Sequence, residues 1–443
     1  MFGSTFFITA LFLIYQPIVW AAPASSESSA SPDSPSSPSS VSSAPTQSFT
    51  AGLTSDDPND SLFDQFQNEI PEAIRGTLGA TVIGPQNVIE DRLSPDFLAP
   101  PSTDAGSVAN AKWPFSLSHN RLQTGGWARQ ENVQVMPIAT EMAGVDMRLQ
   151  AERELHWHST GEWGFIFKGQ VQITAVMSGG TNYIADLDAG DVWYFPSGIP
   201  HSIQATNQSA AGAEFLLVFD SGSFSEDDTF LLTDWLAHIP KEILAKNFRT
   251  SIEAFDHIPA TELYIFPSSP PPPAAQNAVS DPNGQVPQAL SFPWSKSART
   301  PLAGGSVKIL DSTTFPISQT IAAADVTVGV GGMRELHWHP TQDEWSYFIS
   351  GTARVTIFAA EGNARTFDYQ AGDIGYVPAS CGHYVENIGN DTLEFLEIFK
   401  SNKFEDISLN QWLALTPPDL VKAHLNIDDA TIALFNKSEQ TVV

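Results

Sequence analysis

Arg153-Glu154-Leu155-His156-Trp157-His158, followed by Glu162, returns later in the chain as Arg334-Glu335-Leu336-His337-Trp338-His339, followed by Glu344. Side chains on a β-strand alternate between faces, so two histidines one residue apart project together and can grip one ion. After a short turn, Ser159-Thr160-Gly161 in the first copy and Pro340-Thr341-Gln342 in the second, a glutamate can close on the same ion from the next strand. A fourth donor follows at the same distance from each glutamate: His201 after Pro196-Ser197-Gly198-Ile199-Pro200, and His383 after Pro378-Ala379-Ser380-Cys381-Gly382. The repetition argues for two metal sites, one of His156, His158, Glu162 and His201, the other of His337, His339, Glu344 and His383. Three imidazoles and a carboxylate without thiolate suit a borderline-to-hard divalent ion such as manganese or iron, although zinc, nickel and copper also accept imidazole.

The duplication extends beyond these runs. Trp113-Pro114-Phe115-Ser116 matches Phe292-Pro293-Trp294-Ser295, Gly125-Gly126 matches Gly304-Gly305, and Gly169 and Gly190 match Gly351 and Gly372. Between turn residues lie short β-rich runs, in the first copy Trp163 to Lys168, Val171 to Val176, Asp191 to Phe195 and Phe215 to Phe219. Such spacing predicts a β-sandwich or barrel. Each copy closes in a helical pattern, from Thr233 to about Phe248 and from Asn410 to about Leu425. The resulting plan is a signal peptide over 1–22, a Ser/Pro-rich arm over 23–48 and an extension of unassigned role over 49–112. A first β-domain follows over 113–262, then a Pro-rich linker over 263–288 and a second β-domain over 289–443.

The 443 residues carry 21 Lys and Arg against 50 Asp and Glu, a net charge of −29, which argues against nucleic acid or an anionic membrane as partner. The apolar run from Phe6 to Trp20 is interrupted by Tyr15-Gln16-Pro17, and it reads as a secretory signal rather than a membrane span. Sequons at Asn59, Asn207, Asn390 and Asn436 fit a secreted glycoprotein. A single cysteine, Cys381, excludes an intramolecular disulfide, and its counterpart Ile199 assigns it a small apolar role.

His156-x-His158-x3-Glu162-x6-Gly169 together with Gly190-x5-Pro196-x-Gly198-x2-His201 resembles the two cupin motifs, and the second copy repeats them with one more residue before its glutamate. Two such copies in one chain resemble the bicupins, and the wording is similar to that of the microbial oxalate decarboxylases. The resemblance implies an all-β chain of two tandem double-stranded β-helix (jelly-roll) domains, each with a C-terminal helical segment and each holding one Mn(2+), two per chain. It also implies cleavage of oxalate to formate and carbon dioxide, with dioxygen required but not consumed overall.

The same resemblance gives Arg153 and Arg334 the task of polarising bound oxalate. An Arg three residues before His156 faces the opposite side of a regular strand, so a bulge or a strand end is needed to bring it round. Ser225-Glu226-Asp227-Asp228-Thr229 resembles an active-site lid, with Glu226 as proton donor and with Asp227 and Asp228 where bacterial members carry Asn and Ser. In the second copy Phe395, Glu397 and Phe399 share a face whose counterpart is Phe215, Leu217 and Phe219. Glu397 is therefore either a second proton donor, its pKa raised by burial, or a structural partner of Arg334. Two other functions compete. A bicupin oxalate oxidase would give peroxide, which the lid acid disfavours; a non-enzymatic cupin storage protein is disfavoured by two complete donor sets. The expected partner is a small dianion, without nucleic acid or membrane, and assembly with further copies is compatible with the reading.

Overall fold

The computed structural model describes residues 72–150 and 152–443, all within one contact unit, Gln65–Val443. The expected signal peptide, the Ser/Pro arm and the Asn59 sequon lie outside the described residues.

Alternating apolar residues give each repeat two antiparallel sheets that face each other across a core. In the first repeat one sheet runs Val192–Phe195, Glu162–Lys168, Ala213–Phe219, Ala143–Leu149 and Gly126–Glu131. The opposing sheet runs Asn182–Asp188, Gln170–Val176, His201–Ala205 and Glu152–Trp157. Val145, Met147, Phe215 and Leu217 on the first meet Ile173 and Ile203 on the second. Neighbours in space are mostly not neighbours in sequence, as a jelly roll requires. The second repeat builds the same pair, with Met333–Trp338, His383–Asn387 and Thr352–Ala359 facing Ala322–Val328, Leu393–Phe399, Glu344–Ser350 and Asp373–Val377. The double-stranded β-helix implied by the motifs is present twice.

The repeats exchange their first strands. Lys112–Pro114, placed by sequence at the start of the first repeat, pairs with Asp373–Val377 of the second. Reciprocally, Ser291–Phe292 pairs with Val192–Phe195 of the first. Trp113 and Phe292 thereby pack on a core shared by both repeats, with Trp163, Trp294 and Trp345 at its centre. Sequence boundaries at 113 and 289 therefore follow the repeat but not the sheets. The preceding extension braces the second barrel: Phe97 packs edge-on to Phe367 at 5.9 Å, and Thr366 donates its hydroxyl to Asp104 at 2.7 Å.

Two other expectations gain detail. Each C-terminal helical pattern is a pair of short helices, Leu232–Ala237 with Lys241–Phe248 and Leu409–Ala414 with Pro418–Leu425. Pro240 and Pro417 supply no N–H to continue the ladder and so divide each pair. The Pro-rich segment is not a free span between domains but lies along the first barrel. Ile265–Phe266 pairs with Glu152–Trp157, Gln172 donates to the Pro272 carbonyl at 2.9 Å, and the Asn182 amide donates to Asp281 at 2.6 Å.

Where the repeats meet, the Trp345 ring covers Gly144, and a Cβ there would stand 2.3 Å from it. The indole N–H donates to the fully buried Glu131 at 2.8 Å. Burial pushes Glu131 up to about 8, against the opposing hydrogen bonds from Trp345 and the Gly144 amide. A carboxyl raised in the folded state contributes stability that is fully present below its unfolded pKa and is lost as pH rises through the folded value. Glu131→Gln is therefore expected to match the wild type in melting temperature near pH 4.5 and to exceed it near pH 8.5, as a paired melting series across that range would show.

Candidate metal centres and active site

Two clusters of four buried donors form as the motifs require. His156, His158, Glu162 and His201 bring one ligand atom each within 4.8 Å of one another, and so do His337, His339, Glu344 and His383. His156 and His337 sit on Glu152–Trp157 and Met333–Trp338, with His158 and His339 just beyond those strands; each glutamate opens the next strand and each distant histidine a third. The left-handed turn before the last ligand, taken by Gly198 at φ 77°, is taken by Ser380 at φ 64° in the second copy. The Ser380 amide donates to the His339 carbonyl at 2.7 Å, which secures the turn despite its Cβ.

Second partners fix the imidazole tautomers. Nδ1 of His201 faces the Ile199 carbonyl at 2.8 Å, that of His337 the Glu335 carbonyl at 2.6 Å, that of His339 the Glu405 carbonyl at 2.8 Å and that of His383 the Cys381 carbonyl at 3.0 Å. A carbonyl only accepts, so Nδ1 carries the proton and Nε2 presents a lone pair. Those lone pairs meet a carboxylate: Nε2 of His339 and of His383 each lie 3.0 Å from Glu344 Oε2, and Nε2 of His201 lies 3.2 Å from Glu162 Oε2. Nε2 of His337 is buried without a hydrogen-bond partner among the described residues. Electron pairs converging in this way, out of water, fit a divalent cation between them. Burial, and next the charge of Arg153, push His156 well below the ordinary imidazole range, and burial with Arg334 does the same to His337, so both rings stay neutral as ligands must. The other Glu162 oxygen accepts from Trp193 at 2.9 Å, and that of Glu344 from Ser346 at 2.5 Å, which orients each carboxylate.

The bulge demanded by sequence is present in both copies. His156 pairs with His201, yet Arg153 pairs with Ile203, so three steps on one strand oppose two on the other. Arg334 and His337 oppose Val385 and His383 in the same way. The extra residue turns each arginine to the face that carries the histidines, and it leaves Leu155 and Leu336 pointing outwards.

The two arginines then meet different company. Arg153, 1% exposed, donates to Glu226 Oε2 at 2.9 Å and to the Tyr264 carbonyl at 3.3 Å. Tyr264 donates its hydroxyl to the same Glu226 oxygen at 2.7 Å, and Oε1 of Glu226 is buried with no partner among the described residues. Glu226 opens the short helical turn Glu226–Asp228, capped by Ser225, and the Gln130 side chain accepts from its amide at 2.9 Å. The same loop crosses the first cluster, with Phe224 against His158 at 5.3 Å. Arg334 instead donates to Glu397 at 3.1 Å and also pairs with Asp406. Burial raises Glu397 to about 7 against the pull of Arg334, and the geometry makes it the arginine's partner.

Sequence reasoning missed the roles of four residues. Tyr264 lay hidden in the presumed linker. Gln130 carries no motif. Glu154 and Glu335 were legible, since they repeat inside the opening run, but their task was not. Glu154 accepts from Thr233 and from the Leu263 and Tyr264 amides at 2.6 to 2.9 Å; Glu335 accepts from Ser408 and from the Gln440 and Thr441 amides at 2.8 to 3.0 Å. Each clamps a helix start and a crossing strap over its own cluster.

A cupin family model matches residues 118–255 and again 295–433. The chain is 52% identical over 379 residues to oxalate decarboxylase OxdC of Bacillus subtilis, across 85% of this chain and 98% of that protein. The chain belongs to the oxalate decarboxylase family of bicupins. This bicupin is also 40% identical over 374 residues to a probable oxalate decarboxylase of Arthroderma benhamiae, across 82% of this chain and 91% of the relative. Solved structures of the Bacillus enzyme align with a TM-score of 0.82 at 51% identity, over 85% of this chain and 99% of theirs, and one belongs to a study of Mn(II) centres in that enzyme.

Two equivalent donor sets make metal content a direct check. Replacing His156 and His158 together by Ala should halve the bound divalent metal, measured by elemental analysis after refolding with manganese, and should lower the melting temperature, because ion binding to the folded state adds to folding free energy.

Proposed function

We propose that this bicupin converts oxalate to formate and carbon dioxide, using Mn(2+) in both clusters and requiring dioxygen, with the first cluster as the catalytic site. The observation that carries the assignment is the placement of Arg153, Glu226 and Tyr264 beside the first cluster. His156, His158, Glu162 and His201 would hold one ion, and His337, His339, Glu344 and His383 the other. When bound, the ion supplies a template for the substrate carboxylate and a redox partner for dioxygen.

The protein's own part follows from charge. A buried guanidinium recognises a carboxylate well, because its planar fork pairs bidentately and little water competes. Arg153 faces one acid, Glu226; once that acid is protonated, the arginine's charge is free for oxalate. Arg334 is held by two acids, Glu397 and Asp406, and is already neutralised. Loss of carbon dioxide leaves the C–C bonding pair on the remaining carbon, which must take up a proton to become formate. Tyr264 and Arg153 both donate to Oε2 of Glu226, so its proton belongs on the unpartnered Oε1. Without that proton both electrons pass to dioxygen, and the products become two carbon dioxide and hydrogen peroxide, the outcome of the oxidase alternative.

The proposal extends to location. The apolar start of the sequence and its sequons support secretion, and the described sequon residues Asn207, Asn390 and Asn436 are all exposed and so accessible to glycosylation. No helix among the described residues is long and apolar enough to cross a membrane.

Glu226→Gln keeps size and hydrogen bonding but removes the acid. Formate production should fall by about a hundredfold or more, the scale for losing a general acid, with residual turnover shifted towards peroxide. Glu397→Gln should disturb formate output much less. Undiminished formate from the first variant and none from the second would move the chemistry to the second cluster.

A further inference from the structure

Departures from the internal repeat gather in one place. The strap over each cluster has the same backbone form: Tyr264 and Thr441 both take a left-handed φ of 55°, both receive a hydrogen bond on their carbonyl from the site arginine, and both donate their amide to the repeated glutamate. A non-glycine residue in that region costs about 1 kcal/mol, so the strap is a shaped feature of both copies. Only the first copy places a phenol there. A second departure lies in the strand just before each matched glycine pair, Gly125-Gly126 and Gly304-Gly305, where the first copy has Arg121 and the second, at the same distance, Thr300.

Arg121 joins the parts that hold Glu226. Its guanidinium lies 3.7 Å from the centre of the Tyr264 ring, and that of Arg153 lies 4.0 Å from the same ring. Arg121 also pairs with Asp227, adjacent to Glu226 in the helical turn, at 3.4 Å, and with Glu262 on the strap. A cavity of about 530 Å³ opens at this point, lined by Arg121, Gln130, Glu226, Asp227 and Tyr264 among others. Arg121 thus borders the space outside Glu226, whereas Arg153 lies on the inner side, buried against it.

We propose that Arg121 is a positioning residue for the proton donor: stacked on Tyr264 and paired with Asp227, it ties the 226–228 turn to the 262–266 strap and keeps Glu226 aimed at the first cluster. This rests on the reading of the first cluster as the decarboxylating site. Decarboxylation adds one proton to oxalate dianion and gives formate and carbon dioxide. The competing path transfers two electrons from oxalate to dioxygen, which takes up two protons to become hydrogen peroxide, and releases two carbon dioxide. A proton donor that wanders lengthens the time before protonation, so loss of Arg121 biases product identity. The contact of Arg121 over the Tyr264 ring is the stronger tether, because Asp227 is 85% exposed and its ion pair is weak.

The test uses the full manganese-loaded enzyme with oxalate and dioxygen, scoring formate and peroxide, with bound metal and melting temperature measured for every protein. Arg121→Met should lower kcat for formate about tenfold, short of the loss expected for removing the acid itself, raise the peroxide share and leave KM for oxalate unchanged. Arg121→Lys, which keeps the charge, should recover part of the formate yield, and it carries the test if the methionine variant fails to fold. Asp227→Asn should shift products in the same direction by less. A folded, metal-loaded Arg121→Met enzyme with the wild-type ratio of formate to peroxide would overturn the proposal, as would a raised KM at unchanged kcat, which would make Arg121 a substrate-binding group. Failure of the wild type itself to form formate would instead overturn the functional assignment.

Discussion

One extra residue in the strand that begins each metal motif decides what the sites can do. Without the bulge between Arg153 and His156, strict alternation would put the arginine on the far side of the sheet, and a metal cluster would stand with no cation beside it for a dianionic substrate. The bulge costs a break in the ladder, and the repeated glutamate repairs it. Glu154 lies at the bulge and gathers amides from two crossing segments, so the strap and the helix start are fixed by the same irregularity that turns the arginine.

The duplicated scaffold then supports two unlike sites. Fully buried arginines need acid partners, and the copies satisfy that need differently. In the second, two acids neutralise Arg334 within the core. In the first, the single acid stands on a short turn at the rim of a cavity, where it can exchange a proton and where a phenol leaves one oxygen uncommitted. Exchange of the opening strands, with Trp345 seated on Gly144 and bonded to Glu131, makes the repeats share one core, so the clusters are held in a fixed relation.

Much of this was legible in the sequence. The donors repeat with constant spacing, and period two placed His156 and His158 together without further information. The need for a bulge followed from the position of Arg153, and the contrast between Glu397 and Leu217 marked the copies as different. Other features were not legible because they depend on distant pairing. Trp113 and Phe292 look like the starts of their own repeats, and nothing local says that each strand crosses to the other sheet. Tyr264 sits in a stretch whose prolines suggest a free linker, and its role exists only because Ile265–Phe266 adds to the edge of the motif strand. Pro240 and Pro417 fall inside the two helical patterns and divide each into a pair of short helices, a break that the apolar spacing alone does not mark.

The central claim is that the first cluster and its acid direct electrons back to carbon rather than on to dioxygen. Carbon and oxygen balance on the manganese-loaded enzyme measures this most directly, by following oxalate, formate, carbon dioxide and dissolved dioxygen together. The account predicts one formate and one carbon dioxide for each oxalate, with dioxygen required but its concentration unchanged. Two carbon dioxide per oxalate, matched by consumption of one dioxygen and by peroxide in place of formate, would contradict it.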